Sequence, residues 1–230
     1  MKKIKLLLFS AILIAAGTVA QENPGCTDPQ ASNYDPSADY NDGSCIYNPT
    51  IYSPSFNYLL PGEVEEPSGL VFWAEALWTI NDSGNDPVLF KLDTVTGEVT
   101  QEITLSNAEN VDWEALAQDT DHIFIGDFGN NSGNRDDLGI YIVAKEDIPA
   151  SGDGSLNASH ITFVYEDFEG RKIRREENNF DCEALICIGD SLYLFSKNWG
   201  DEQTKLYRFE GGNAHRIHKQ YFCALFLVAV

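Results

Sequence analysis

Three stretches of this chain repeat one acidic pattern: "EPSGLVFWAEALWTINDSG" from Glu66, "DWEALAQDTDHIFIGDFGN" from Asp112 and "DCEALICIGDSLYLFSKNW" from Asp181. Aligned on Leu70, Leu116 and Leu185, they place Glu66, Asp112 and Asp181 four residues before the leucine. Ser68, Glu114 and Glu183 stand two before it, and Asp82 and Asp127 follow the next apolar run in the first two copies. Carboxylates at close quarters repel one another and do not all stay ionised without a cation. Several such oxygens together are what calcium takes. If the repeats gather around one axis, Glu66, Asp82, Asp112, Glu114, Asp127, Asp181 and Glu183 are candidate ligands at one mouth of a channel. A second reading stands beside this one, in which the repeated polar residues cap strand ends and bond the neighbouring repeat's backbone.

A second oxygen-rich stretch is "GCTDPQASNYDPSADYNDGSC", Gly25 to Cys45, which is almost free of aliphatic residues. Asn33, Asp35, Ser37, Asp39 and Asn41 recur at every second position and would share one side of an extended chain. Asp35, Asp39 and Asn41 are the module's candidate calcium ligands, set against a cluster of turns held only by a disulfide. The spacing is not that of an EF-hand. Counting back from Gly43 as the sixth position puts Ala38 first and Tyr40 third, where that loop needs oxygen ligands. Cys26 and Cys45 bound the segment and are paired here, since so small an apolar content needs a staple.

The elements that must position these groups read as strands. "VLFKLDTVTGEVTQEITL" divides into two around "DTVTGE", with Gly97 in the turn. "HIFIGDF", "GIYIVAK", "HITFVYEDF", "EALICIG", "SLYLFSKN" and "KLYRFE" follow, separated by Asp, Asn and Gly clusters. Almost nothing carries helical periodicity, so the class is all-β. The repeats are 46 and then 69 residues apart, a propeller blade and a blade with an insertion. The architecture expected is a partial β-propeller of three or so blades over residues 61–210. A small disulfide-clipped module over 21–47 and a Pro-rich linker over 48–60 precede it.

The address comes from "MKKIKLLLFSAILIAAGTVA", whose basic, apolar and small-residue order is that of a secretory signal cut after Ala20. No other stretch is apolar and long enough to span a bilayer. Losing Lys2, Lys3 and Lys5 would take the net charge from −21 to −24. Such acidity argues against nucleic acid and anionic membrane surfaces as partners and suits attraction of cations. The last residues, "GGNAHRIHKQYFCALFLVAV", contain no Asp or Glu in a chain otherwise dense with both. Residues 211–230 are therefore expected to be an atypical tail, as a shifted reading frame or truncation would give. An open sheet edge is also expected, with the poor solubility that follows from one.

The Gly25–Cys45 segment resembles the short module "GCTDPxAxNYxPxAxxDDGSC" found in many secreted bacterial multidomain proteins, and loosely the thrombospondin type 3 repeats. Those proteins often carry a sorting domain for type IX secretion. The resemblance implies an extracellular or surface setting. Asn41 stands where the pattern often has Asp, which removes one charge from any cation site. "VDWEALAQD" and "FDCEALICIGDSLYLFSKNW" resemble secreted bacterial propellers with repeated "DxEAL" strands, akin to the phytase-like esterase and SdiA-regulated groups. The "E-x-S-G-L" start at Glu66 is similar to the "EGPxW" start of the gluconolactonase superfamily, whose Glu is a metal ligand. That likeness implies a ligand role for Glu66, with Asp82 as a further oxygen.

Other chemistries find no residues. There is no "GxSxG" serine and no "HExxH" pair. His215 and His218 lie in the tail, His122 before a strand. Cys182 and Cys187 would point to different faces of a strand and are not expected to bridge. "EGRKIRREENN" from Glu169 reads as the solvated loop that lengthens the third repeat. Trp73, Trp113 and Trp199 could stack on sugars, though such residues usually pack between blades. Two function classes remain: a secreted module that binds an extracellular ligand, with calcium as the cofactor, or a metal-dependent hydrolase of lactonase or phosphoesterase type.

Overall fold

The computed structural model describes residues 22–51, 53, 57–170, 173–210 and 213–216. The expected signal cleavage site and Cys223 lie outside them. The described chain is all-β. Its strands are β1 (Pro24–Gly25), β2 (Tyr40–Asn41), β3 (Pro67–Trp73), β4 (Ala76–Asn81), β5 (Val88–Leu92), β6 (Val99–Leu105), β7 (Trp113–Gln118) and β8 (His122–Asp127). They continue as β9 (Gly139–Ala144), β10 (Gly154–Leu156), β11 (Ser159–Thr162), β12 (Val164–Tyr165), β13 (Asp181–Ile188), β14 (Ser191–Lys197), β15 (Leu206–Glu210) and β16 (Asn213–Arg216). The only helical pieces described are two single 3₁₀ turns, Lys145–Asp147 and Arg175–Glu177.

The chain divides into two units. In the first, Cys26 and Cys45 are bridged, as expected. The segment is not extended, however. It is a series of turns with one short parallel pair, β1 beside β2. Its oxygens bond the module's own atoms. Asp35 Oδ1 accepts from the Ser37 N–H at 2.8 Å, Asp39 Oδ2 from the Asn23 N–H at 2.9 Å, and Asn41 Oδ1 from the Gly43 N–H at 2.9 Å. Gly43 supplies the left-handed conformation its turn needs.

The second unit is a partial β-propeller of three sheets. Blade 1 has the order β10-β6-β5-β4-β3, blade 2 β11-β9-β8-β7, and blade 3 β12-β16-β15-β14-β13. The strands before each outer edge run as antiparallel meanders, as the turn residues require. Gly97 sits in the β5–β6 turn at positive φ, and Asp93 Oδ1 accepts from the N–H groups of Val95 and Thr96. The inner strands β3, β7 and β13 lie side by side, with β7 between the other two.

Two boundaries differ from the sequence reading. "HITFVYEDF" is not one strand. Its first half, β11, pairs antiparallel with β9 in blade 2, and its second half, β12, pairs parallel with β16 in blade 3. Phe163 is the pivot, buried in the core between these blades. The third sheet also runs past Glu210. A hairpin pairs Glu210 with Asn213 and carries β16 into the segment read as an atypical tail. Local alternation cannot show which sheet a short strand joins, because that depends on partners far away in sequence.

Two cores join the blades. Trp78, Ile80, Leu89 and Ile103 of blade 1 pack against Trp113, Leu116, Ile123 and Ile125 of blade 2. Phe124, Phe128 and Ile140 of blade 2 pack against Tyr165, Cys182, Leu194 and Tyr207 of blade 3. Cys182 and Cys187 are free thiols, as expected, but not because they face opposite ways: the bulge between Cys182 and Ala184 resets the alternation and brings both to the core between blades 2 and 3. Gly69 shows how close the inner strands come, since a Cβ there would lie 2.6 Å from the Leu116 nitrogen. Gly69→Ala is accordingly expected to force β3 from β7 and cost about 1–3 kcal/mol, read as a lower urea midpoint at unchanged slope.

Candidate functional site

The inner strands carry a shared irregularity. In β3–β4 the register shifts between Pro67 and Gly69, in β7–β8 between Trp113 and Ala115, and in β13–β14 between Cys182 and Ala184. The residue left over in each bulge is Ser68, Glu114 or Glu183. These are the repeat positions two before the leucine. A bulge places an extra side chain outside the regular alternation and re-aims it, which is why bulges recur beside functional sites. In blade 1 the bulge residue is a latch, with Ser68 Oγ donating to the Trp113 carbonyl at 2.7 Å. In blades 2 and 3 it is a carboxylate.

Three carboxylates converge at the junction of blades 1 and 2. Asp82, Asp112 and Glu114 each offer an oxygen within 4.8 Å of the other two, and all three are half-buried. One hard cation with bonds of about 2.3–2.6 Å spans about 4.6–5.2 Å between opposite oxygens, so the group fits a single divalent ion. Asp82 is held from behind, where its N–H donates to the Glu66 carbonyl at 3.1 Å and its carbonyl accepts from Asn110 Nδ2 at 2.8 Å. Gly129 forms one wall. A Cβ there would sit 2.4 Å from the Asp112 carboxyl and 2.5 Å from Glu114 Oε1.

The electrostatics are those of crowded acids. Burial pushes the Glu114 carboxyl up to about 9, helped by the charges of Glu183, Asp82, Asp112 and Asp181. Burial also raises Asp112, with Asp82 adding to the rise and Arg135 opposing it. Glu183 is raised by burial too, against the pull of Lys197, whose Nζ donates to Glu183 Oε1 at 2.6 Å. A divalent cation in the triad would relieve this repulsion directly.

The remaining predicted ligands have other work. Asp127 does not face the mouth. It is buried, ion-paired with Arg135 at 3.0 Å, and accepts from the Asp112 N–H at 3.0 Å. One step of strand alternation separates it from the direction the prediction required. Glu66 lies before β3 with its side chain exposed and its backbone at positive φ, and it is not part of the triad. Asp181 borders the site but is fully buried. Its Oδ1 accepts from the Asn130 N–H of blade 2 at 2.6 Å and its Oδ2 from Trp199 Nε1 at 2.7 Å. For Asp127 and Asp181 the strand-capping reading therefore holds, and for Asp82, Asp112 and Glu114 the convergent one does. Asp35, Asp39 and Asn41 serve their own turns. Among the described residues no group of three carboxylates, cysteines or histidines forms in the module.

Several residues at the site escaped the sequence reading. Asn110 bonds the carbonyls of Asn81 and Asp82 in blade 1 while its Oδ1 accepts from the Trp113 N–H. Asn178 does the same work one junction on, bonding the Asn130 carbonyl and accepting from the Phe180 N–H. Both precede the acidic motif, by two and three residues, and that shared Asn was the available signal. Asn178 is also the last residue but one of the charge run read as a solvated loop, yet it is completely buried. Trp113 packs between blades, whereas Trp199 stands at the mouth with Arg175 and Lys197 against its ring. His215 is paired with Glu166 at 3.1 Å.

No family model matches this chain. Among curated proteins, ribulose bisphosphate carboxylase/oxygenase activase 1, chloroplastic, of Larrea tridentata is 74% identical over 23 residues. That match spans 10% of this chain and 5% of the activase, too little to bear on fold or function. Among solved structures, the crystal structure of the computationally designed Ika4 protein is similar at a TM-score of 0.37 and 12% identity. It covers 74% of this chain and 82% of that one.

Proposed function

We propose that this is an exported binding protein that holds one calcium ion in the Asp82–Asp112–Glu114 triad and presents that mouth of the propeller to an extracellular ligand. The convergence of three half-buried carboxylates from two blades carries the reading. The bridged Cys26–Cys45 pair supports an oxidising setting. Among the described residues no helix is long and apolar enough to cross a membrane. The ion would tie blade 1 to blade 2 and leave coordination positions for oxygens of the ligand or water. Asp112 and Glu114 come from β7 and its approach, and Asp82 from the turn after β4, so the site exists only when both blades are stacked.

Calorimetric titration tests this reading. One calcium per chain should bind, a chelator should reverse it, and Asp112→Asn should weaken it at least tenfold. Absence of binding heat, with an unchanged melting temperature in calcium, would remove the proposal. The hydrolase reading has one observation in its favour, the raised Glu183 beside the triad. Turnover of a lactone or phosphoester in calcium, lost in Glu183→Gln with calcium binding intact, would replace binding by catalysis.

A further inference from the structure

Of the three tryptophans that could stack on a sugar, Trp113 is buried between blades and Trp199 is flanked by Arg175 and Lys197. Trp73 is different. It is the last residue of β3, half-buried, and it forms one side of a cavity of about 440 Å³ whose lining includes His122, Lys145, Asp121 and Glu146. Small-molecule sites span roughly 300–1,000 Å³, so the size suits a ligand. Glu114 stands near the start of β7, and the Asp119–His122 turn lies just past its end. The cavity is therefore at the other end of blades 1 and 2 from the acidic mouth.

The groups around it are held in place. Gln118 Nε2 of blade 2 donates to the Phe72 carbonyl of blade 1 at 2.8 Å. Lys145 Nζ donates to Gln118 Oε1 at 2.9 Å and to the Asp119 carbonyl at 2.6 Å, which leaves one of its three N–H groups. His122 Nδ1 lies 3.2 Å from Asp119 Oδ1, and with Nδ1 donating, the neutral ring keeps Nε2 as an acceptor. Trp78 packs against the Trp73 indole at 5.4 Å between centroids, and its own N–H donates to the Trp73 carbonyl. The turn after Trp73 is strained. Ala74 and Glu75 both have positive φ, 51° and 59°, where such a two-residue turn favours Asn-Gly. Strain of this kind gathers at ligand sites.

We propose that this cavity binds one residue of a neutral saccharide, its C–H face on the Trp73 indole and its hydroxyls shared among Lys145, His122 and the two carboxylates. A hydroxyl both donates and accepts, so it can satisfy the Lys145 donor together with the Asp121, Glu146 and His122 acceptors. An anionic ligand fits less well, because Asp119, Asp121, Glu146 and Asp147 surround a single lysine. An amine fits less well too, because Lys145 Nζ already lies 5.5 Å from the centroid of the Trp73 ring. The site does not depend on calcium in the triad.

Saturation-transfer NMR on the whole chain tests this, with glucose, galactose, mannose and N-acetylglucosamine, their disaccharides, and glucuronate and glucosamine as charged counterparts. At least one neutral sugar should receive saturation on its ring protons, with a dissociation constant of about 1 mM or below. Trp73→Ala and His122→Ala should each weaken it at least tenfold, while Trp73→Phe keeps most of the affinity. Tighter binding of a disaccharide would identify a glycan chain as the ligand, and equal binding a free sugar. Excess chelator should change nothing, which separates this site from the triad. Silence from every neutral sugar overturns the proposal. So does preference for glucuronate or glucosamine, loss of the signal in chelator, or full affinity in His122→Ala. Thermal melts check that each variant folds, and if Trp73→Ala does not, His122→Ala decides.

Discussion

Glu114→Gln is expected to abolish the rise in melting temperature that calcium would give the wild-type protein if it binds at the proposed site. An ion present at 100 times its dissociation constant adds about 2.7 kcal/mol to the folded state. For a unit of this size that is roughly 5–10 °C. The substitution would remove one of the three carboxylates of the proposed site and leave a neutral amide of the same shape beside Asp82 and Asp112. Without the ion the effect reverses. The Glu114 carboxyl sits at about 9 in the folded chain, against an ordinary value of 4.5, so between those values the folded state holds a proton that the unfolded state has lost. This contribution to stability is complete below about 4.5 and is lost as pH rises through about 9, at up to about 1.4 kcal/mol per pH unit. The amide mimics the protonated acid. In chelator the variant should melt higher than wild type at pH 8, with a flatter pH dependence. Calcium should bind wild type more tightly as pH rises through the same window, because it displaces that proton. Differential scanning calorimetry with and without calcium, at pH 6 and pH 8, reads all of this. Identical calcium shifts in both proteins would take Glu114 out of the site.

Asp181→Ala is expected to cost roughly 3–5 kcal/mol, visible as a fall of about 6–20 °C in melting temperature. Both oxygens are engaged in a fully buried place, one by the Asn130 backbone and one by the Trp199 indole. Truncation leaves the buried Asn130 N–H and the part-buried Trp199 indole N–H with nothing to bond, and desolvation of an orphaned donor is what makes such changes expensive. Asp181→Asn keeps one acceptor oxygen and turns the other position into a donor, so it should recover about half of the loss. Urea melts of the two variants beside wild type give the comparison. A loss in Asp181→Ala below about 1 kcal/mol would mean that the inter-blade contact is made elsewhere.

Much of this was legible in the residues. The three-fold recurrence around Leu70, Leu116 and Leu185 marked the inner strands, and the alternation within "HIFIGDF" and "SLYLFSKN" marked their neighbours. Cys26 and Cys45 announced their bridge by bounding a segment with no core of its own. The candidate site was legible as a group but not in membership. Asp82, Asp112 and Glu114 came together, Asp127 turned inward to Arg135, and Glu66 remained outside.

The sequence by itself determined what is periodic and local. A strand's side chains alternate whatever surrounds it, Gly97 and Gly43 permit their turns, and a repeated acidic pair must sit at a repeated place. Only the tertiary structure decided which oxygens share a point in space. Asp82 belongs to one blade, and Asp112 and Glu114 to the next, 30 or more positions along the chain. Their meeting depends on the stacking of two sheets through Trp78, Trp113 and Leu116. It depends as well on the bulge that re-aims Glu114, and on a glycine at 129 that leaves the carboxylates room. Strand pattern is set by neighbours along the chain, whereas the distance between two carboxylates is set by packing between sheets.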